Sequence, residues 1–204
     1  MQYKYDVFVS HRRLGDWPAW VQRYFLPGFK HWLGTELGAE ARIFVDFDIP
    51  AGNSWPQTLA TDLCLSMVLV PLWTPAYFSS DWCLKELAHM LAREQQYGLR
   101  RERPEGLIVP LALHDGTKFP SLARTIEWVS LEECTGLHMA EDSPKWEKLD
   151  ATIKNWVPDV ARAIKLAKRL APKPERGWVD LAIDGFVRRL QVPKARQTEL
   201  PRLL

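Results

Sequence analysis

Residues 67–73, MVLVPLW, lead through a short connection into 79–94, SSDWCLKELAHMLARE, and this stretch decides the fold. So apolar a run, at this length, reads as a strand buried on both faces, as the central strands of parallel sheets are. Ser80 or Asp81 then offers an N-cap oxygen for a helix. Leu84, Leu87, Ala88 and Leu91 recur at i, i+3, i+4 and i+7, so one stripe of that helix packs on a sheet. Glu86 stands off the stripe: at ~100° per residue it lies about 160° from Leu84 and about 40° from Trp82. By position alone it reads as a solvated carboxylate near the positive end of the helix dipole.

Upstream, 5–10 (YDVFVS) reads as a buried strand running into polar His11, Arg12 and Arg13. Asp16 is a plausible cap for a helix over 17–37, which Pro27 and Gly28 kink or divide, and whose aromatic stripe reads as core. A second strand covers 42–47 (RIFVDF), and 48–55 (DIPAGNSW) has the Pro, Gly and Asn of a shaped loop. A third helix starts near Ser54 and carries Leu59, Leu63 and Cys64 on one side. Downstream, 95–104 reads as a solvated turn, 107–113 as a fourth strand, 125–131 as a fifth, and 143–170 as a long helix. That last helix ends in a basic group, Arg162, Lys165, Lys168 and Arg169, which reads as a solvated face suited to the negative end of its dipole. Residues 171–177 (APKPERG) read as a linker, and Trp178, Val179, Ile183, Phe186, Val187 and Leu190 predict one more helix.

Strands alternating with helices predict an α/β domain with a parallel sheet between helical layers. A chain of 204 residues fits one such domain with a tail, divided at 1–171 and 172–204. Its net charge of +2 gives no ground for a nucleic-acid partner, and no apolar run is long enough to span a membrane. The three cysteines are widely spaced and free of CxxC, which argues for a reducing, cytoplasmic setting and against a thiolate metal site. The first residues show no cleavage-site pattern, so no secretory signal is expected.

Ligands of such sheets gather at the carboxyl ends of the strands. Arg12, Arg13, Asp46, Trp55, Trp73 and Glu86 all fall at or just beyond those ends, with Ser10, His11, Tyr77 and Trp82 beside them in sequence. Phosphate-cradling GxGxxG and GxxxxGK[ST] loops, HExxH and GxSxG are absent, so metal-hydrolase and serine-hydrolase chemistry have no motif here.

Three stretches in register, YDVFVSHRR (5–13), IFVDFDIPAGNSW (43–55) and SDWCLKEL (80–87), resemble the TIR (Toll/interleukin-1 receptor) domain family over roughly residues 5–170. The resemblance implies a flavodoxin-like, five-stranded parallel sheet flanked by helices. That family includes adaptors that signal by TIR–TIR association and enzymes that cleave NAD+ at the nicotinamide–ribose bond. The enzymes carry their catalytic glutamate in a W-x-x-x-E segment, and here the match is Trp82 to Glu86. The same residue-by-residue comparison places Arg12 and Arg13 near the nucleotide's phosphates and Trp55, in the family's BB loop, near the bound nucleotide. His11 departs from the aromatic or small residue common at its position.

The implied function is an NAD+ glycohydrolase giving nicotinamide and ADP-ribose or a cyclic isomer, in bacterial anti-phage immunity. Glu86 is the implied catalytic residue. The substrate-binding set is Ser10, His11, Arg12, Arg13, Asp46, Trp55, Trp73, Tyr77 and Trp82, with NAD+ as substrate and no metal or other cofactor. Self-association through the BB loop and the Trp82–Glu86 helix (the family's αC) is implied as well. The tail either packs on the domain or meets a partner protein, and the alternative function is a non-catalytic scaffold.

Overall fold

The structure, a computed structural model, describes residues 2–46, 57–101, 105–136, 138–140, 142–175 and 181–191. Five parallel strands, β1 (Tyr5–His11), β2 (Ile43–Val45), β3 (Ser66–Trp73), β4 (Leu111–Ala112) and β5 (Val129–Ser130), form one sheet in the order β2-β1-β3-β4-β5. This is the flavodoxin-like order, in which the chain reverses its direction of travel across the sheet between β1 and β3. The carboxyl ends of those two strands therefore border a crevice. β3 is buried at every position, as its apolar run requires.

The predicted fourth strand is shortened, and prolines explain it. Leu69 accepts from Val109 and donates to Leu107, so the ladder's alternation next calls for a donor at residue 71. Pro71 has no N–H, and Pro110, whose backbone faces β5, has none to give on that side. Pairing resumes only at Leu72 with Leu111 and Trp73 with Ala112. The fifth strand is also shorter than predicted, because Ala123–Thr125 winds into a 3-10 turn first.

The first helical stretch is continuous, as α1 (Trp17–Trp20), a π-helical turn (Val21–Phe25) and α2 (Leu26–Leu37). Pro27 stands in the first turn of α2, and the widened turn before it absorbs the hydrogen bond that proline cannot make. The chain leaves α2 through Gly38 at φ 66°, a left-handed C-cap that suits glycine. Phe25 and Phe29 pack on Trp156 of α5 (Pro144–Leu170), and Trp32 Nε1 donates to Asp150 at 2.7 Å, which clamps α2 to α5. α3 (Gln57–Cys64) precedes β3.

α4 (Asp81–Gln96) follows β3 and is buried far beyond its apolar stripe, from Cys83 to Glu94 except at Lys85. One cause is that a second layer covers it: α6 (Asp184–Leu190) packs on α4 and buries Leu190 completely. Another is an interior polar frame. Arg93, fully buried, donates to the Ser66 carbonyl at 2.7 Å and to the Tyr3 hydroxyl at 2.9 Å, and Tyr3 in turn donates to the Ala171 carbonyl.

The turn after α4, predicted to be featureless, has a definite structural task. Arg100 adopts φ 61° and grips the buried Glu94 at 2.6 Å, while Glu94 also accepts from the amides of Leu107 and Ile108. A charge buried this deeply must be satisfied on all sides, which a left-handed arginine achieves here. The predicted boundary near residue 171 falls just after α5, where Ala171 is still buried and Glu175 accepts from Tyr97. Among the described residues, no helix is long and apolar enough to cross a membrane.

Candidate active site

Ser80, in extended backbone, caps α4 by accepting from the Cys83 amide at 3.4 Å. This cap fixes where the helix starts and brings Glu86, in the second turn, against the carboxyl end of β1. There Ser10 Oγ lies 2.5 Å from Glu86 Oε2 and 2.9 Å from the Tyr77 hydroxyl, within hydrogen-bond reach of both. Tyr77 also donates to the Cys83 carbonyl at 3.2 Å, and the Cys83 thiol points at the His11 carbonyl. The site thus sits at the crevice between β1 and β3.

Reading Glu86 as a solvated surface residue is overturned: it is 5% exposed. Burial raises its pKa to about 8 and Asp46 adds to the rise, while the Ser10 hydrogen bond and Arg13 oppose it. A carboxyl near this value exchanges its proton at physiological pH, and a strongly perturbed group at the carboxyl ends of the strands is a candidate for function.

The other expected residues divide into three groups. Arg12, Arg13, Asp46 and Trp82 are half-buried and stand around the glutamate. Arg12 donates to Ser80 Oγ at 3.1 Å, Arg13 faces Asp46 at 3.7 Å, and the Arg13 guanidinium lies 5.4 Å from the Trp82 ring centre. Ser10 and Tyr77 are fully buried behind the carboxyl, so they support Glu86 and offer no surface to a substrate. His11 is also buried, and burial with the nearby Arg13 charge lowers its pKa to about 4, leaving it neutral.

Trp73 belongs to a third group. Its ring is taken up by a core cluster with Phe78, Phe119 and Trp128 and has no exposed face. Trp55 and the rest of the expected BB loop lie outside the described residues. Sequence reasoning missed Cys83, whose carbonyl ends the Tyr77 hydrogen bond, and Ser80 as the acceptor for Arg12. A serine two residues before the tryptophan of the W-x-x-x-E segment was the available signal for the second.

A concavity of about 870 Å3 lies away from this site, between β4, β5 and the second half of α5. Trp128 and Trp156 contribute to its wall and Arg162, Lys165 and Arg169 to its rim, so part of the predicted basic face borders a groove.

One carboxyl, a buried hydroxyl pair behind it, and two guanidinium groups with an indole beside it are suited to a substrate that is anionic in one part and becomes cationic in another. Among curated proteins, none matches this sequence. Among solved structures, the chain is similar to the TIR domain of the Toll-related receptor TRR-2 from Hydra magnipapillata. The identity is 20%, the match covers 62% of this chain and 83% of that one, and the TM-score is 0.40. It is also similar to the TIR domains of the activated Roq1 resistosome directly recognizing the pathogen effector XopQ, at 18% identity over 81% of this chain and 98% of that one, with a TM-score of 0.37. The TIR domain family model matches residues 7–149, a span that holds the Glu86 site and all five strands but the first two residues of β1, and the chain therefore belongs to the TIR domain family.

Proposed function

We propose that this protein is a TIR-domain NAD+ glycohydrolase with Glu86 as its catalytic carboxylate. The observation that carries the reading is the buried Glu86 carboxyl at the β1/β3 crevice, held by Ser10 and bordered by Arg12, Arg13 and Trp82. Cleaving the nicotinamide–ribose bond builds positive charge on the ribose, and nicotinamide leaves as a neutral molecule that needs no proton. A carboxylate in a low-dielectric site stabilises that charge strongly or captures it as a transient ester. Arg12 and Arg13 take the pyrophosphate, and Trp82 forms one wall of the pocket. Water at the ribose gives ADP-ribose, and the substrate's own adenine gives a cyclic isomer. No cofactor beyond the substrate takes part, the setting is cytoplasmic, and the role is bacterial anti-phage defence by NAD+ consumption or a cyclic signal. Trp55 and the BB loop complete the site on self-association, so activity rises with protein concentration.

The test is nicotinamide release from NAD+ at high protein concentration by wild type and Glu86→Ala. Release that vanishes in Glu86→Ala supports the enzyme. Equal release by both proteins, or none by wild type, overturns it and leaves a scaffold that works through TIR–TIR association.

A further inference from the structure

We propose that Tyr77, acting through Ser10, sets the proton state of Glu86: the three groups form one hydroxyl chain whose contacts are all satisfied only while Glu86 carries a proton. The argument is a count of protons. Three hydrogen bonds run in series, Glu86 Oε2 to Ser10 Oγ at 2.5 Å, Ser10 Oγ to Tyr77 Oη at 2.9 Å, and Tyr77 Oη to the Cys83 carbonyl at 3.2 Å. The carbonyl at the far end only accepts, and each hydroxyl has a single proton to give. Two hydroxyl protons cannot make three bonds, so the third proton belongs to the carboxyl at the near end.

When Glu86 ionises, the direction of the chain reverses. Ser10 turns its proton to the carboxylate, Tyr77 turns its proton to Ser10, and the Cys83 carbonyl keeps only its bond within α4. Ionisation therefore exchanges three neutral bonds for one charge-assisted bond and one neutral bond. Among the described residues, few charged or titratable groups surround Glu86. Arg13, after β1, favours the carboxylate, and Asp46, at the end of β2, disfavours it. Burial holds the Cys83 thiol and the Tyr77 phenol protonated and His11 neutral, so none of these supplies a counter-charge.

Tyr77 is thus a positioning residue that keeps the resting carboxyl neutral. The purpose of the device rests on the NAD+ reading above: a substrate carrying a cationic nicotinamide ring favours the carboxylate and drives the reversal, so charge appears on Glu86 when its target arrives. The existence of the chain does not depend on that reading.

The experiment follows Glu86 directly, by carbon-13 NMR of protein labelled at the glutamate carboxyls, with Glu86→Gln to assign the signal. In Tyr77→Phe, Glu86 is the one acceptor left to Ser10 among the described residues, so the titration midpoint should fall by about one pH unit. In a Ser10→Ala background the link is cut, and adding Tyr77→Phe should leave the midpoint unmoved. In wild type, the Cys83 carbonyl carbon should shift with the same midpoint as Glu86 as it loses the Tyr77 bond; this measurement decides the matter if Tyr77→Phe does not fold. An unchanged or raised midpoint in Tyr77→Phe, or a Cys83 carbonyl that ignores the titration, overturns the inference. The two readings fail separately. Glu86-dependent nicotinamide release with an acid limb of kcat/KM unmoved in Tyr77→Phe sinks the hydroxyl chain alone, and the NMR shift without any release sinks the NAD+ reading alone.

Discussion

Glu86→Gln should make the fold more stable, by an amount that grows as pH rises from about 4.5 to about 8. Burial brings the folded carboxyl to about 8 against an ordinary value of 4.5. Between those values the native state holds a proton that the unfolded chain has already released. The contribution of Glu86 is therefore complete below about pH 4.5 and drains away as pH rises through about 8. At about 1.4 kcal/mol per pH unit, the full interval corresponds to roughly 5 kcal/mol. Gln has nearly the shape of the protonated acid, and its amide donates to Ser10 as the acid does, but it has no proton to lose. At pH 5, half a unit above the ordinary value, the variant should be ahead by only about 1 kcal/mol. At pH 8.5 the variant should be more stable by on the order of 3–5 kcal/mol, roughly 10 °C in Tm for a chain of this size. Urea and thermal melts followed by circular dichroism at the two pH values measure it. A variant less stable at pH 8.5, or a difference that does not change between the two pH values, would refute the placement of a neutral, buried carboxyl.

Other outcomes follow from the contacts around the sheet. Ser80→Ala removes the α4 cap and the acceptor for Arg12, and should lower stability by about 1 kcal/mol in urea melts. Gly106→Ala places a Cβ on the Arg100 guanidinium and 2.6 Å from Glu94 Oε1, so the pair that fastens the start of β4 must shift; a loss of about 2 kcal/mol is expected by the same assay. Asp6 is buried, which alone would raise its pKa, but hydrogen bonds from Arg42 outweigh burial and lower it. That contribution is present above the ordinary aspartate range and lost as pH falls through the depressed value. Asp6→Asn should therefore cost about 2 kcal/mol at pH 7 and much less near pH 3.

The sheet was legible because strand and helix periods differ and alternate cleanly. MVLVPLW and the stripe of Leu84, Leu87, Ala88 and Leu91 needed no tertiary knowledge. The length of β4 required knowing which partner each backbone group faces, since Pro71 breaks the ladder only because its nitrogen faces Val109. The burial of Glu86 was beyond the helical wheel, which gives direction around one axis and says nothing of layers stacked outside it. Its partner Ser10 lies 76 residues away in the chain, and the Ser10–Tyr77 contact spans 67, so neither pairing leaves a local signature. Nearness to a strand end does not reveal burial, and the Trp73 ring packs among Phe78, Phe119 and Trp128. The turn holding Arg100 looked featureless because a positive φ at an arginine has no sequence mark.

The seating of α6 on α4 has a consequence for how this protein meets others. A seven-residue helix tethered to the same chain presents itself to α4 at an effective concentration on the order of millimolar. A second molecule seeking the same face at micromolar concentration starts about a thousandfold behind, whatever its intrinsic fit. Contacts between copies of this chain will therefore be won on surfaces that α6 leaves open, and the α4 face will be surrendered only to a partner that first displaces the tail.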